Sequence, residues 1–444
     1  MHKFFSFVFF VAANLALNGV TIGQPSSTPF GKLDRSFGAS GVVAFQSGAI
    51  FMGDAAVLTN GKIVFVNTVQ RPDGYEIQVI RLLSDGAFDT SFGGDGIDYF
   101  SFADYSHGTS ILAQPDGKLL IGGQVATVNS PPQYDALIFR IHENGQLDSS
   151  FGNAGKVVKD FAPSGDPNIS NDGGTTLAYS GSNIIAALTS HRYPTLTDRA
   201  TTFVTLVKLD GDGTIDQAFG SNGIAQLQIG NDFAGSGFVF NKSHLLVQND
   251  EKIVVGQTTD RLDVGAPQGL ESRSVISRFL PSGTADTKFG NAGIVLPHNN
   301  LSGSTSLNIT ADAKYVVGIR YALVRLNQNG AIDSGFGIDG VLSLGTSVDA
   351  GYAMIDSSGK ITIAGTEHLP VPVGMHSVGR IFRLHSDGLP DLRFGRGGAA
   401  RIDIGNDIQV FGKILKVSGT HVYAIGNCNA PGVMPCVARV RIAK

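Results

Sequence analysis

Three features of this chain predict an all-β fold: a motif that returns seven times, short apolar runs bounded by Gly, Asn and Asp, and termini that together supply one missing repeat. The architecture they imply is a seven-bladed β-propeller of four-stranded antiparallel blades, closed by the N-terminal strand completing the last blade. The motif is Asp-x-x-Phe-Gly-x-x-Gly, anchored at Phe37, Phe92, Phe151, Phe219, Phe289, Phe336 and Phe394. Each copy keeps its Asp (Asp34, Asp89, Asp148, Asp216, Asp286, Asp333, Asp391), and the anchors recur at a mean interval of about 60 residues.

Composition agrees. Of 444 residues 58 are Gly, none is Trp, 16% are charged and 42% are hydrophobic. So Gly-rich and charge-poor a chain is neither a coiled coil nor disordered. A net charge of −4 leaves no basic stripe for nucleic acid.

The first element is a leader. Met1, His2 and Lys3 precede an apolar run from Phe4 to Leu17, too short to span a membrane. Thr21 and Gly23 suit cleavage before Gln24, which divides the chain into a signal peptide (1–23) and one propeller (24–444). The alternative is an uncleaved anchor. The mature chain is expected to have no membrane span and to be exported, to an extracellular, cell-surface or periplasmic location.

Each period then holds four strands. The first is a run such as Ser110-Ile-Leu-Ala-Gln; the second follows a polar turn, as in Asp116-Gly-Lys-Leu-Leu-Ile-Gly; the third often carries a basic residue, as in Ile138-Phe-Arg-Ile; the fourth follows the Phe-Gly motif. After Phe394 the final copy stops at its third strand, Cys436-Val-Ala-Arg-Val-Arg-Ile, and the N-terminus begins with the missing piece, Leu33-Asp-Arg-Ser-Phe-Gly. Pairing the two would remove the exposed sheet edges. The Asp/Asn-Gly-x-x-Asp-x-x-Phe-Gly-x-x-Gly turn, the Pro115 to Lys118 turn and the sixty-residue period resemble the delta-60 repeat family of predicted β-propellers. That resemblance implies the fold and an exported bacterial protein, and it transfers no catalytic residue.

The cysteines, Cys428 and Cys436, bracket a turn-rich stretch between two strand-like runs. A disulfide suits an exporting compartment; a metal site or two thiols are the other readings. In Leu209-Asp-Gly-Asp-Gly-Thr-Ile-Asp216, the residues Asp210, Asp212 and Asp216 have the spacing of a calcium loop, but no Glu follows at the twelfth position. The Asp-Gly turns therefore read as structural, with Gly at φ > 0 and the carboxylate accepting backbone N–H groups, and no cofactor is expected unless calcium binds there. Nucleophile-elbow, zinc-protease and phosphate-loop motifs are absent. Asp54, His107 and Asp349 each open an inner-strand run and could approach the channel mouth.

The longest insertions fall between the second and third strands of a blade: Ala126 to Tyr134, Ser190 to Ala200, Thr258 to Arg273, Glu367 to Ser377 and Cys428 to Cys436. That junction and the blade-to-blade connections emerge on one face, the tight turns on the other. The long-loop face is thus the expected binding face, with Phe161, Tyr134, His191, Arg192, Tyr193, Arg261 and His368 as contacts. The reading is a secreted binding or scaffold module for a protein or cell-surface glycan. The alternative is a hydrolase- or lyase-type propeller enzyme acting at the channel mouth, with or without a cation.

Overall fold

The computed structural model describes residues 30–45, 48–126, 133–161, 169–193, 200–232, 243–262, 270–297, 304–345, 347–370, 375–402, 408–416, 420–430 and 432–443. The leader, 1–23, lies outside them. No helix occurs among the described residues, and so none is long and apolar enough to cross a membrane.

The chain opens with β1 (Lys32–Leu33) and β2 (Val42–Ala44). Four-stranded antiparallel units follow in sequence order. The first is β3 (Ala49–Val57), β4 (Ile63–Arg71), β5 (Gly74–Leu82) and β6 (Ile97–Phe100); the second is β7 (Tyr105–Ala113), β8 (Leu119–Ala126), β9 (Asp135–Ile141) and β10 (Lys156–Lys159). A parallel pairing, Tyr75 with Tyr105, joins these two. Next come β11 (Ile169–Ser180), β12 (Asn183–Tyr193), β13 (Ala200–Leu209) and β14 (Ile224–Asp232), then β15 (His244–Val247), β16 (Ile253–Leu262), β17 (Leu270–Phe279) and β18 (Ile294–Val295). They are followed by β19 (Ser304–Ile309), β20 (Tyr315–Ile319), β21 (Ala322–Leu326) and β22 (Val341–Ser343), and by β23 (Val348–Ile355), β24 (Ile361–Pro370), β25 (Met375–Leu384) and β26 (Ala399–Ile402). The last strands are β27 (Ile408–Lys416), β28 (His421–Ala430) and β29 (Gly432–Arg441), and β1 and β2 both pair antiparallel with β29.

Burial explains why the second strand of each unit reads as a continuous apolar run. Every residue of β8 (LLIGGQVA) and of β20 (YVVGI) is buried, because these strands are covered on both faces by neighbouring sheets. The fourth strands are covered on one side only, and β10 runs half-buried to exposed. The apolar cores lie between consecutive sheets: Val64, Val66 and Ile77 pack with Leu119, Ile121 and Phe139, and Phe37 and Val437 pack with Ile63 and Phe65.

The repeated motif is a structural clamp. Its Phe is buried between sheets at all seven positions. The following Gly takes a left-handed backbone, φ 60° at Gly93, where a Cβ would stand 2.0 Å from the Ile97 carbonyl oxygen. The Gly93 N–H donates to the Asn144 carbonyl of the next unit at 3.1 Å, and Gly38, Gly152, Gly220 and Gly290 bond to the next turn in the same way. The Asp accepts from the amide two residues on, as Asp89 does from the Ser91 N–H at 3.1 Å.

The same Asp also pairs with the basic residue of the third strand: Arg81 with Asp89 at 2.7 Å, Arg140 with Asp148 at 2.7 Å, Arg278 with Asp286 at 2.9 Å, Arg325 with Asp333 at 2.6 Å and Arg439 with Asp34 at 2.9 Å. The guanidinium lies over the motif Phe, 4.7 Å from the Phe92 centroid for Arg81, and donates to a carbonyl of the neighbouring unit, Glu143 for Arg81. The Lys of the Gly-Lys turn adds a second cation, as Lys62 and Lys118 do at 2.8 Å. The fourth copy departs from the pattern: Lys208 replaces Arg, and its contact with the partly exposed Asp216 is 3.2 Å.

Two expectations change. The turn-rich stretch between the cysteines is mostly ladder, since β28 and β29 pair up to Ala430 and Gly432, with Gly426 facing Cys436 and Cys428 facing Met434. Backbone pairing overrides the local turn residues and confines the reversal to the hairpin tip. The Thr258 to Arg273 and Glu367 to Ser377 insertions are likewise largely extensions of β16–β17 and β24–β25.

Candidate functional site

Strand direction assigns the two faces. Each first strand starts, and each second strand ends, on the face opposite the Phe-Gly turns, so β3, β7, β11, β15, β19, β23 and β27 all begin on one side. Polar residues are buried toward that side at the ends of second strands, among them Asn67, Thr68, Gln124, Thr189, Ser190, His191, Gln257 and Thr366.

Among the described residues, an aromatic group on this face forms where β5 meets β7. The Tyr75 and Tyr105 rings lie 5.4 Å apart, Tyr75 and His107 5.0 Å, His107 and Tyr134 5.8 Å, and Tyr105 and Tyr134 6.5 Å. Tyr75 and Tyr105 are half-buried; Tyr134 and His107 are buried beneath them. Burial pushes the His107 imidazole down to about 4, so it is neutral at pH 7, and pushes the Tyr134 hydroxyl upward. Beside this group the Arg71 guanidinium stacks 4.6 Å from the Tyr99 ring centroid and pairs with Glu76 at 2.5 Å.

Next to it, Asp172 is fully buried on β11. Its carboxyl accepts from the Phe161 amide at 2.7 Å and the Ser190 hydroxyl at 2.6 Å, and its own amide donates to the Tyr134 carbonyl at 2.8 Å. Burial raises this carboxyl to about 7; the two hydrogen bonds oppose the rise, and Asp160 and Asp135 add to it. Phe161, Tyr134 and Tyr193 were expected to be offered to a partner, but each is buried. His191 is buried too, with Nδ1 3.2 Å from Thr202 Oγ1. Arg192 donates to Gln226 at 2.6 Å and lies 4.4 Å from the Phe203 ring centroid. Arg261 falls on β16, and its side chain lies outside the described residues.

The expected channel-mouth residues are held separately. Asp54 is buried and accepts from the amides of Ala55 (2.8 Å) and Ile111 (3.2 Å) and from Lys413 of β27. Burial would lower the Lys413 ammonium, but the Asp54 charge outweighs it and raises it. Lys413 also lies 5.7 Å from the Tyr352 ring centroid, and Tyr352 lies 5.4 Å from His244. Asp349 instead meets His368, another expected contact residue: Asp349 Oδ2 is 2.9 Å from His368 Nε2, and His368 Nδ1 is 3.0 Å from Ser377 Oγ.

On the opposite face, Asp210 and Asp212 share the Thr214 amide at 2.8 and 3.0 Å. The neighbouring Asp212 carboxylate pushes Asp210 upward, while Asp216 pairs with Lys208. Among the described residues, no cluster of three or more His, Cys, Asp or Glu is arranged to hold a metal ion.

The sequence reading missed Tyr75, Tyr105, Asp172, Ser377 and Lys413, and it noted the basic residue of the third strand without its pairing to the motif Asp. The cation had a legible signal: a basic residue stands eight positions before the Asp at Arg81, Arg140, Lys208, Arg278, Arg325 and Arg383. The others carry none, since each meets its partners through pairing that local pattern does not encode.

Three stretches, residues 59–92, 114–151 and 314–336, match the family model described as a domain of unknown function (DUF5122) beta-propeller. Each of the three contains one motif anchor: Phe92, Phe151 and Phe336. The fold is a β-propeller. A search of curated proteins finds no match. Among solved structures, the propeller is similar to polysaccharide lyase Uly1 (9% identity, 90% of this chain and 91% of that one, TM-score 0.44). It is also similar to a protein of unknown function from Dyadobacter fermentans (10% identity, 76% and 95%, TM-score 0.44) and to the PQQ-bound aldose sugar dehydrogenase of Streptomyces coelicolor (13% identity, 75% and 93%, TM-score 0.36). At TM-scores of this size none of them bears on the chemistry of this propeller.

Proposed function

We propose that this chain is an exported seven-bladed β-propeller of the delta-60 type, closed by its N-terminal strands, that binds a cell-surface glycan through the face opposite the Phe-Gly turns. The observation that carries the binding reading is the difference between the two faces. One repeats the same Asp-Arg-Phe clamp from copy to copy. Among the described residues, the other carries groups that are not repeated from copy to copy, chief among them Tyr75, Tyr105, His107 and Tyr134. Half-buried tyrosine rings over a neutral, buried His favour a ligand with apolar C–H faces and hydroxyl groups, which is the chemistry of a sugar.

Closure is supported by three contacts between the ends of the chain. β1 and β2 pair with β29, β27 touches β3, and Arg439 donates to the Ser84 carbonyl at 3.0 Å, where Arg81 and Arg140 reach their next neighbours. A disulfide between Cys428 and Cys436 belongs to the same reading, because the register puts both on one face of the β28–β29 ladder, and the basic, apolar start of the chain supports export.

The test is binding of the purified protein to an array of bacterial and plant glycans, followed by titration of the best ligand against Tyr75→Ala and Tyr105→Ala. Each substitution is expected to weaken binding about tenfold, roughly 1.4 kcal/mol. An empty array, or unchanged affinity in both variants, overturns the glycan reading and turns the search to a protein partner.

A further inference from the structure

We propose that Ser377, His368 and Asp349 form a nucleophilic triad that transfers acyl groups from carboxylic esters. The three stand on adjacent strands of one sheet: Asp349 at the start of β23, His368 near the end of β24 and Ser377 near the start of β25. His368 and Ser377 are directly opposite in the ladder, and Asp349 is opposite Thr366, two residues before His368. Side chains alternate along a strand, so this register alone puts all three on the same face of the sheet. They lie on the face where unique chemistry gathers, with the His368 side chain 28% and the Asp349 side chain 40% exposed, open to a substrate from solvent.

The hydrogen bonds assign the protons. A carboxylate only accepts, so His368 Nε2 carries its hydrogen toward Asp349 Oδ2 at 2.9 Å. Nδ1 is then the lone-pair nitrogen, and it accepts from Ser377 Oγ at 3.0 Å. This is the tautomer a general base needs beside a hydroxyl nucleophile. The orienting carboxylate is steadied from the neighbouring unit, with Arg320 Nε 3.6 Å from Asp349 Oδ1, and the His368 amide donates to the Ser347 carbonyl at 2.7 Å. The β11–β14 sheet provides a contrast. There His191 meets Thr202 across the same kind of pair, but His191 is buried, and the residue opposite it on β11 is Asn171.

The chemistry balances without a cofactor. Ser377 Oγ bonds to the ester carbonyl carbon as its proton passes to His368 Nδ1, and the resulting imidazolium faces the Asp349 carboxylate. The C–OR bond then breaks, the leaving alkoxide takes the proton from Nδ1, and an acyl-Ser377 remains. Water adds by the same route, releasing the carboxylic acid and restoring the hydroxyl.

The test is labelling of the purified protein with a fluorophosphonate, located by peptide mass spectrometry, alongside turnover of p-nitrophenyl acetate. One adduct, on Ser377, is expected. Ser377→Ala should abolish it, and His368→Gln and Asp349→Asn should each slow labelling at least about 100-fold at unchanged circular dichroism. If Ser377→Ala does not fold, Ser377→Cys serves, and its alkylation by iodoacetamide should be slowed by His368→Gln. No adduct, an adduct elsewhere, or a rate indifferent to His368 overturns the assignment. None of these readouts depends on glycan binding.

Discussion

Removing the Asp89 carboxylate tests whether the repeated motif is a clamp. Asp89 accepts from Arg81 Nε at 2.7 Å, Lys62 Nζ at 2.8 Å, Ser91 Oγ at 2.6 Å and the Ser91 amide at 3.1 Å. Burial alone would raise this carboxyl; Lys62, Ser91 and Arg81 together outweigh it and hold it well below the usual carboxylate range. A carboxyl so depressed contributes fully above its unfolded value near 3.9, and its contribution is lost as pH falls toward the folded value, so the comparison belongs at pH 7. In Asp89→Ala the Arg81 side chain, 1% exposed, keeps its charge with no anion to face. Stranding one member of a buried pair costs about 3–5 kcal/mol. An unfolding entropy of roughly 2 cal/mol/K per residue over a domain of this length makes that about 4–6 °C in Tm.

The fourth copy supplies an internal control. Asp216 is 33% exposed and faces Lys208 at 3.2 Å, so Asp216→Ala should cost about 1 kcal/mol or less. Scanning calorimetry and urea titration of the two variants check the difference. Pairing Arg81→Met with Asp89→Asn should recover much of the loss, because no buried charge then remains. Equal destabilisation at Asp89 and Asp216, or a double variant no better than Asp89→Ala, would refute the clamp.

Two further outcomes follow from the geometry. Burial raises Asp172 to about 7, above its unfolded value, so the folded state holds a proton that the unfolded chain releases, and stability falls as pH rises from about 4 to about 7. Asp172→Asn keeps an acceptor for the Phe161 amide and turns its NH2 toward the Ser190 oxygen, which can accept, and should raise Tm at pH 8 while changing it little at pH 4; a variant with unaltered pH dependence sinks this account. Deleting residues 31–45 removes β1, β2 and the Phe37 anchor, which pair and pack with the last strands. The truncated chain is expected to aggregate or unfold, and a monomer that melts at the original temperature, measured by light scattering and calorimetry, would refute the closed seven-bladed ring.

The sequence by itself determined the repeat, the strand order and the turns, because these depend on short-range chemistry. A Gly with φ > 0, an Asp two residues from the amide it accepts, and an apolar run long enough for one strand are all readable within ten residues. The clamp cation was nearly as legible, eight residues before the Asp. The tertiary structure decided everything that depends on which blades lie side by side. Tyr134, Tyr193 and Phe161 looked like an offered surface in their insertions, yet packing buries them. Tyr75 and Tyr105 are thirty positions apart in the chain and adjacent in space only because β5 and β7 come together. Asp349 and His368 were singled out for different reasons, and their meeting with Ser377 required the register of three strands. Local pattern specifies where a strand begins and which side chains share its face; which side chains then meet across sheets follows from pairing and packing, interactions that act through space between residues far apart in the chain.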